Sequence, residues 1–310
     1  MARQVVRKPH SKHKIKMVRE YKVILAIIRT FGGTLSRKML QKLMFLYCDR
    51  NMVNFYEFIP YKYGCYSAEL ASAQSKLIEK GFLKRSEDWS LRKQISIDSL
   101  DLCSEDIDNI NALYKRFGNY SEYELIKYVY LSYPFFAINS VIAKDILTKE
   151  ELKPIIKLRN KVEKKALYSI GYEGLSLDSY ISKILSYDVK IVCDVRKNPI
   201  SRKYGFSKGI LSKELYNAGV KYIHFPELGI PSALRQNLKT QEDYDLLFDH
   251  YERTILPANL NKVEVISDLL DSYKRIALLC FEKNPLQCHR TRIANKILEY
   301  RENDIDLISK

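Results

Sequence analysis

No run of about 18 apolar residues occurs anywhere in the 310-residue chain, so a hydrophobic helical span of a bilayer is excluded and no membrane partner is expected. The opening MARQVVRKPHSKHKIK is basic but has neither an apolar stretch nor a small-residue cleavage site. A secretory signal is therefore not expected, and the cytoplasm is the expected location. CxxC pairs are absent too. The six cysteines, Cys48, Cys65, Cys103, Cys193, Cys280 and Cys288, lie mostly inside apolar segments, which favours reduced thiols over a disulfide framework.

Acidic residues are scarce only at one end. Residues 1–93 hold 20 Lys and Arg against 7 Asp and Glu, residues 94–165 hold 11 of each, and residues 166–310 hold 21 against 19. The net charge of +15 is thus concentrated in the first third of the chain. Such a field attracts polyanions and gains affinity by releasing phosphate counterions. Nucleic acid, DNA first, is the expected partner.

A chain of this length accommodates two domains. The apolar spacing of Val23, Ile24, Ile27 and Ile28 predicts a helix that ends at Gly32-Gly33. A second helix follows Ser36 as N-cap, with Leu40, Leu43, Met44 and Tyr47 on one stripe. FYEFIPYKYG reads as extended, a third helix covers 67–80, and FLKR and KQISI read as strands. Three helices with short β pieces in a basic region predict a winged helix over 1–95. Residues 96–165 read as a helical extension with a charged linker at 157–165. The aromatics Tyr128, Tyr130, Tyr133, Phe135 and Phe136 there suit core packing, or stacking on unpaired bases.

From Ala166 the pattern changes to strand then helix. ALYSIGYEG, VKIVCDVR, VKYIHFP and RIALLCFE alternate with LDSYISKILSY, KGILSKELYNAG and CHRTRIANKILEY, which predicts an α/β domain over 166–310 with a mostly parallel sheet covered by helices. The fold class as a whole is that α/β domain preceded by a mostly helical winged helix. Ligands of such sheets bind beyond the carboxyl ends of strands. That rule gathers Tyr172 and Glu173, Asp194 and Arg196, His224, and Glu282 onto one rim, and the last helix points its N-terminus at the same place. Arg196, Arg202 and Arg290 then form an anion cradle for a phosphate, with Tyr172 and Ser201 beside it. Glu282, Asp194, Cys288 and His289 are the candidate catalytic groups. Cys288, placed near the helix start, is expected to have its thiolate favoured. His289 with Cys280, Cys288 and Glu282 matches no familiar zinc spacing, so no metal ligand is assigned and no cofactor is expected, with a divalent metal left open.

Two resemblances add to this reading. LQKLMFLYCDR followed by FIPYKYGCYSAELASAQSKLIEKGFL, within residues 20–95, resembles winged-helix modules of the Panacea and SocA-type antitoxin family. Gly64-Cys65 stands where those modules often have Gly-Pro. SIGYEG, CDVR with Pro199 and Ser201-Arg202, YIHFPELG and LLCFEKNPLQCHR, spanning about 167–300, resemble the DUF488 family in order and spacing. That resemblance implies an α/β domain with Gly171, Tyr172, Asp194, Arg196, Ser201, Arg202, Glu282, Cys288, His289 and Arg290 as its polar signature. Ile230 replaces a glycine common in that family.

The expected function is a nucleic-acid-acting hydrolase, its N-glycosidic or base-directed chemistry favoured over strand cleavage. The domain pairing suggests a setting in defence against foreign DNA. Two other classes stay open: a DNA-binding regulator whose DUF488-like domain senses a nucleotide or other anion without turnover, and an antitoxin-like protein-interaction module. A homodimer is left open.

Overall fold

The computed structural model describes residues 16–158, 164–301 and 305–309. The first 15 residues, with much of the basic N-terminus, and the middle of the expected linker at 157–165 lie outside the described residues. The chain forms two compact units. One runs through Glu57 and resumes over Cys65–Val129; the other takes in Phe58–Gly64 and everything from Tyr130.

The first unit is built from helices Arg19–Thr30, Arg37–Arg50, Ala68–Glu79 and Ser104–Phe117. Ser36 caps the second by accepting from the Met39 amide at 3.1 Å, and Ser67 caps the third by accepting from Leu70 at 3.3 Å, each satisfying an otherwise unpaired helix-start donor. Gly32 and Gly33 both take positive φ after the first helix, the left-handed backbone that glycine adopts without strain. Thr34–Leu35 pairs antiparallel with Trp89–Ser90, and Leu83 bridges Leu91. The FLKR segment finds its partner at 90–92, through Lys84 N–H to Ser90 O and Arg92 N–H to Phe82 O. KQISI is therefore left outside the ladder, and its Ile95 carbonyl accepts instead from Arg29 Nε at 3.3 Å. Of the aromatic cluster, Tyr128 accepts from Arg116 at 3.0 Å and packs on Phe117 at 5.0 Å between ring centroids.

The second unit carries a five-stranded parallel sheet. Its spatial order is Lys221–His224, Ile191–Asp194, Arg275–Cys280, Ala166–Gly171, Asp306–Ser309. All neighbouring pairs run parallel, so every carboxyl end lies at one edge. Leu167, Ile191, Cys193, Ile276 and Leu278 pack on one face with Val263, Ile266, Ile293, Ala294 and Ile297 of helices Leu260–Tyr273 and Arg290–Glu299. The alternate residues Tyr168, Ile170, Val192, Ala277 and Leu279 are equally buried, which explains why these strands read as continuous apolar runs. Helices Leu177–Ser186 and Lys208–Asn217 begin after Ser176 and Ser207. Tyr130 is buried here with its hydroxyl on Ser140 Oγ at 2.7 Å, while Phe135 stays half exposed. The six cysteines are free thiols, only Cys103 of them exposed. Among the described residues no helix is long and apolar enough to cross a membrane.

Asp106 is the main buried polar tie of the first unit. It accepts from Arg19 Nη2 at 2.8 Å and Nε at 3.0 Å, and from the Tyr47 hydroxyl at 2.6 Å. Burial pushes its carboxyl up, but these donors outweigh burial and leave it below the ordinary value. Asp106→Ala should cost about 1–3 kcal/mol by stranding the buried Tyr47 hydroxyl, measured by chemical denaturation. A depressed carboxyl stabilises the fold above its unfolded pKa of about 3.9. That stabilisation should fade as pH falls below this value, and the acid-side slope should shrink in the variant.

Candidate functional site

The parallel register sets Gly171 opposite Cys280, and Asp194 opposite both His224 and Leu279. The segments that leave the ends of Ala166–Gly171, Ile191–Asp194 and Arg275–Cys280 converge on a cavity of about 550 Å³. Of the residues selected from the sequence, Tyr172, Arg196, Ser201, Arg202, Glu282 and His289 line it. Asp194, Cys288 and Arg290 do not; they lie buried around it, each at most 1% exposed.

Asp194 and Arg196 form a closed pair at the strand end. Asp194 accepts from Arg196 Nη2 at 2.6 Å, from its Nε at 2.9 Å, from its backbone N–H at 3.0 Å and from the Tyr222 hydroxyl at 2.6 Å. The remaining Arg196 nitrogen donates to Tyr172 Oη at 3.1 Å and to Phe206 O at 2.9 Å. Tyr172 stacks on Phe206 with centroids 4.1 Å apart. With its lone pairs taken, the Asp194 carboxylate organises the cavity wall and has no face toward it. Arg196 is likewise committed, so the anion-holding capacity falls to others.

Those others are Lys197, Arg202 and Lys203, on the lining together with Arg235. Against them stands one acidic side chain, Glu282. Its Oε1 accepts from Arg235 Nη2, which orients it, and its Oε2 lies 3.1 Å from Cys280 Sγ. Arg235 was not among the residues singled out from the sequence. It lies in a short 3-10 turn, Ser232–Arg235, well past the third strand. The strand-end rule, extended to the loop that follows each strand, would have found it.

The loop between the central strand and the last helix forms the floor. Its 3-10 turn Pro285–Gln287 is fixed by Asn284, whose side chain accepts from Leu286 N–H at 3.0 Å. The helix starts at Arg290 with His289 as N-cap, so Cys288 precedes it in extended backbone and gains little from its dipole. Burial pushes the Cys288 thiol up to about 12, the reverse of the expected favoured thiolate. Cys280 is the group pushed down, to about 6, because Cys288 donates to it and the charges of Arg290 and Arg235 outweigh its burial. His289 Nε2 donates to Val195 O at 2.9 Å, since a carbonyl can only accept. The other ring nitrogen, Nδ1, lies 4.0 Å from Cys280 Sγ.

Arg290 is fully buried beneath this floor. Nη2 donates to Glu282 O at 2.6 Å and Nε to Cys288 Sγ at 3.1 Å, while Nη1 finds no partner. It holds the loop in shape and does not reach the cavity as a phosphate ligand. His224 Nε2 similarly donates to Arg196 O at 2.8 Å, and Glu173 accepts from Lys283 N–H at 2.9 Å.

Residues 176–297 match the model of a family described as domain of unknown function DUF488. No curated protein and no solved structure matches the chain.

Gly171 permits the loop to lie where it does. A Cβ there would sit 1.9 Å from Glu282 O, well inside van der Waals contact. Gly171→Ala should therefore push the Glu282 carbonyl off Arg290 and destabilise the domain by about 1–3 kcal/mol, seen as a lower denaturation midpoint with an unchanged m-value.

Proposed function

We propose that the DUF488 domain hydrolyses a nucleotide unit of a nucleic acid, by N-glycosidic or base-directed chemistry rather than by strand cleavage. The observation that carries this reading is the composition of the cavity: three cationic side chains, Lys197, Arg202 and Lys203, around a single carboxylate, Glu282, that a fourth cation, Arg235, holds in place. Arg202 and Lys203 on the exposed side hold the phosphate, as a point charge and a planar fork can do without consuming a carboxylate partner. Phe281 lines the same cavity, packs edge-to-face with Tyr172 at 5.4 Å between ring centroids and is still 43% exposed, an aromatic surface against which an unstacked base can lie. A volume of about 550 Å³ is of the size that holds a small ligand such as a mononucleotide.

Glu282 takes the proton of the attacking water and returns one to the leaving group. One carboxylate within the cavity suits a single-base hydrolytic step better than a two-metal strand cleavage, which needs several carboxylates to bridge its ions. The concentration of positive charge in the first 93 residues supports a role for the first unit, as a winged helix, in bringing DNA to the domain. A place in defence against foreign DNA follows from that pairing of units.

Purified protein incubated with modified and unmodified DNA and RNA oligonucleotides, with mass-spectrometric detection of released bases, abasic sites and strand breaks, tests the reading. Glu282→Gln should lower turnover by about 10²–10⁴-fold without changing the denaturation midpoint by more than about 1 kcal/mol equivalent. Arg202→Ala should raise KM with kcat nearly unchanged, the signature of lost uniform binding. Salt-sensitive binding with no product from any substrate would replace hydrolysis by anion sensing. Loss of binding at every salt concentration would leave a protein-interaction module.

A further inference from the structure

The floor of the cavity gathers three metal-ligating atoms that the hydrolytic reading leaves unused. Cys280 Sγ, Cys288 Sγ and a ring nitrogen of His289 all lie within 4.8 Å of one another, and all three residues are buried. The Cys280 and His289 members stand 4.0 Å apart. A tetrahedral zinc ion with bonds of about 2.3 Å to sulfur and about 2.1 Å to nitrogen sets its donors roughly 3.6 Å apart. The Cys280–His289 pair is within a few tenths of an ångström of that, and Cys288 needs to close by no more than about 1.2 Å to join it.

The surroundings of each donor suit a ligand. His289 gives its Nε2 proton to Val195 O, which fixes the tautomer and turns the Nδ1 lone pair toward the sulfurs, as the outer hydrogen bond of a metal-bound histidine does. Arg290 Nε donates to Cys288 Sγ at 3.1 Å, a contact that favours an electron-rich sulfur. Two thiolates and one imidazole are a borderline-soft set that selects zinc over magnesium, calcium or manganese. Two thiolates offset the charge of one dication, so the ion itself adds no net charge to the buried floor beside Arg290.

We infer that Cys280, Cys288 and His289 form a zinc-class metal site whose fourth position opens into the DUF488 cavity. The opening follows from the lining, because Cys280 and His289 both face the cavity together with Glu282. Three protein ligands and an open vertex are the arrangement of a catalytic rather than a structural zinc. Glu282 Oε2, 3.1 Å from Cys280 Sγ, stands beside that vertex and is free of the ligand set. This deepens the hydrolytic reading and, for its role though not for its existence, rests on it. A water bound at the vertex gives one proton to Glu282. The resulting hydroxide forms a bond to the electrophilic atom of the substrate, the bond to the leaving group breaks, and the Glu282 proton passes to that group. One water is consumed and no oxidant or reductant is needed.

The full-length chain, purified without chelator under reducing conditions and exposed to Zn²⁺, should retain about one zinc per chain after exhaustive dialysis, measured by plasma mass spectrometry. Exchange for Co²⁺ should bring in sulfur-to-cobalt charge-transfer bands and the strong visible bands of a tetrahedral site. Cys288→Ser and His289→Gln should each weaken zinc affinity by at least about 10–100-fold. Glu282→Gln should keep the metal and the cobalt spectrum while losing turnover. The wild-type stoichiometry and cobalt spectrum decide the matter even where a ligand variant fails to fold. Zinc far below one per chain, with both thiols open to a thiol reagent or joined as a disulfide in mass spectra, overturns the site. Full zinc occupancy with no hydrolysis of any nucleic acid keeps the site and rejects the nucleotide reading.

Discussion

A buried guanidinium holds the candidate site together. Arg290, fully enclosed, donates to the Glu282 carbonyl and the Cys288 sulfur, and so ties the strand-to-helix loop to the first turn of the last helix. Losing either of these bonds would strand more of a guanidinium already taken out of water, at a cost of several kcal/mol. The loop therefore keeps the shape that makes both. Glu282, Cys280 and His289 inherit their positions from that constraint, and Gly171 on the neighbouring strand leaves the space the Glu282 carbonyl needs.

A division of labour among charged groups follows. Asp194 and Arg196 satisfy one another, with Tyr222, Tyr172 and Phe206 completing their hydrogen bonds. Such a pair, its hydrogen bonds satisfied internally, fixes geometry and does little to attract a ligand. Lys197, Arg202 and Lys203 carry the net positive potential of the cavity, because Arg235 is spent on Glu282, the one carboxylate of the lining. Thus the same residue types act as scaffold in one case and as ligand groups in the other, according to whether a partner lies within reach.

Much of this is legible in the amino-acid sequence. The switch at Ala166 from mixed pattern to apolar strands alternating with helices, and the rule that ligands sit beyond strand carboxyl ends, selected Tyr172, Arg196 and Glu282, which line the cavity, together with Glu173, Asp194 and His224, which do not. Helix starts at Ser36 and Ser67 were legible because capping is local. KQISI failed as a strand because pairing is not local: residues 90–92 took the available partner. Arg235 went unnoticed since its loop reaches the rim only after a turn, and Cys288 was assigned the thiolate character that falls to Cys280 because helix start and thiol register differ by two residues.

Composition and periodicity alone determined where the charge lies, that the second half is a parallel α/β sheet, and which edge of it bears the polar groups, because these depend on residue type and on repeats of two or 3.6 residues. Tertiary structure decided which of those groups face the cavity and which are spent on one another. Whether Arg196 meets Asp194 or a ligand, and whether Cys280, Cys288 and His289 come within reach of one ion, depends on distances across loops whose path is set by packing and by the hydrogen bonds of one buried arginine.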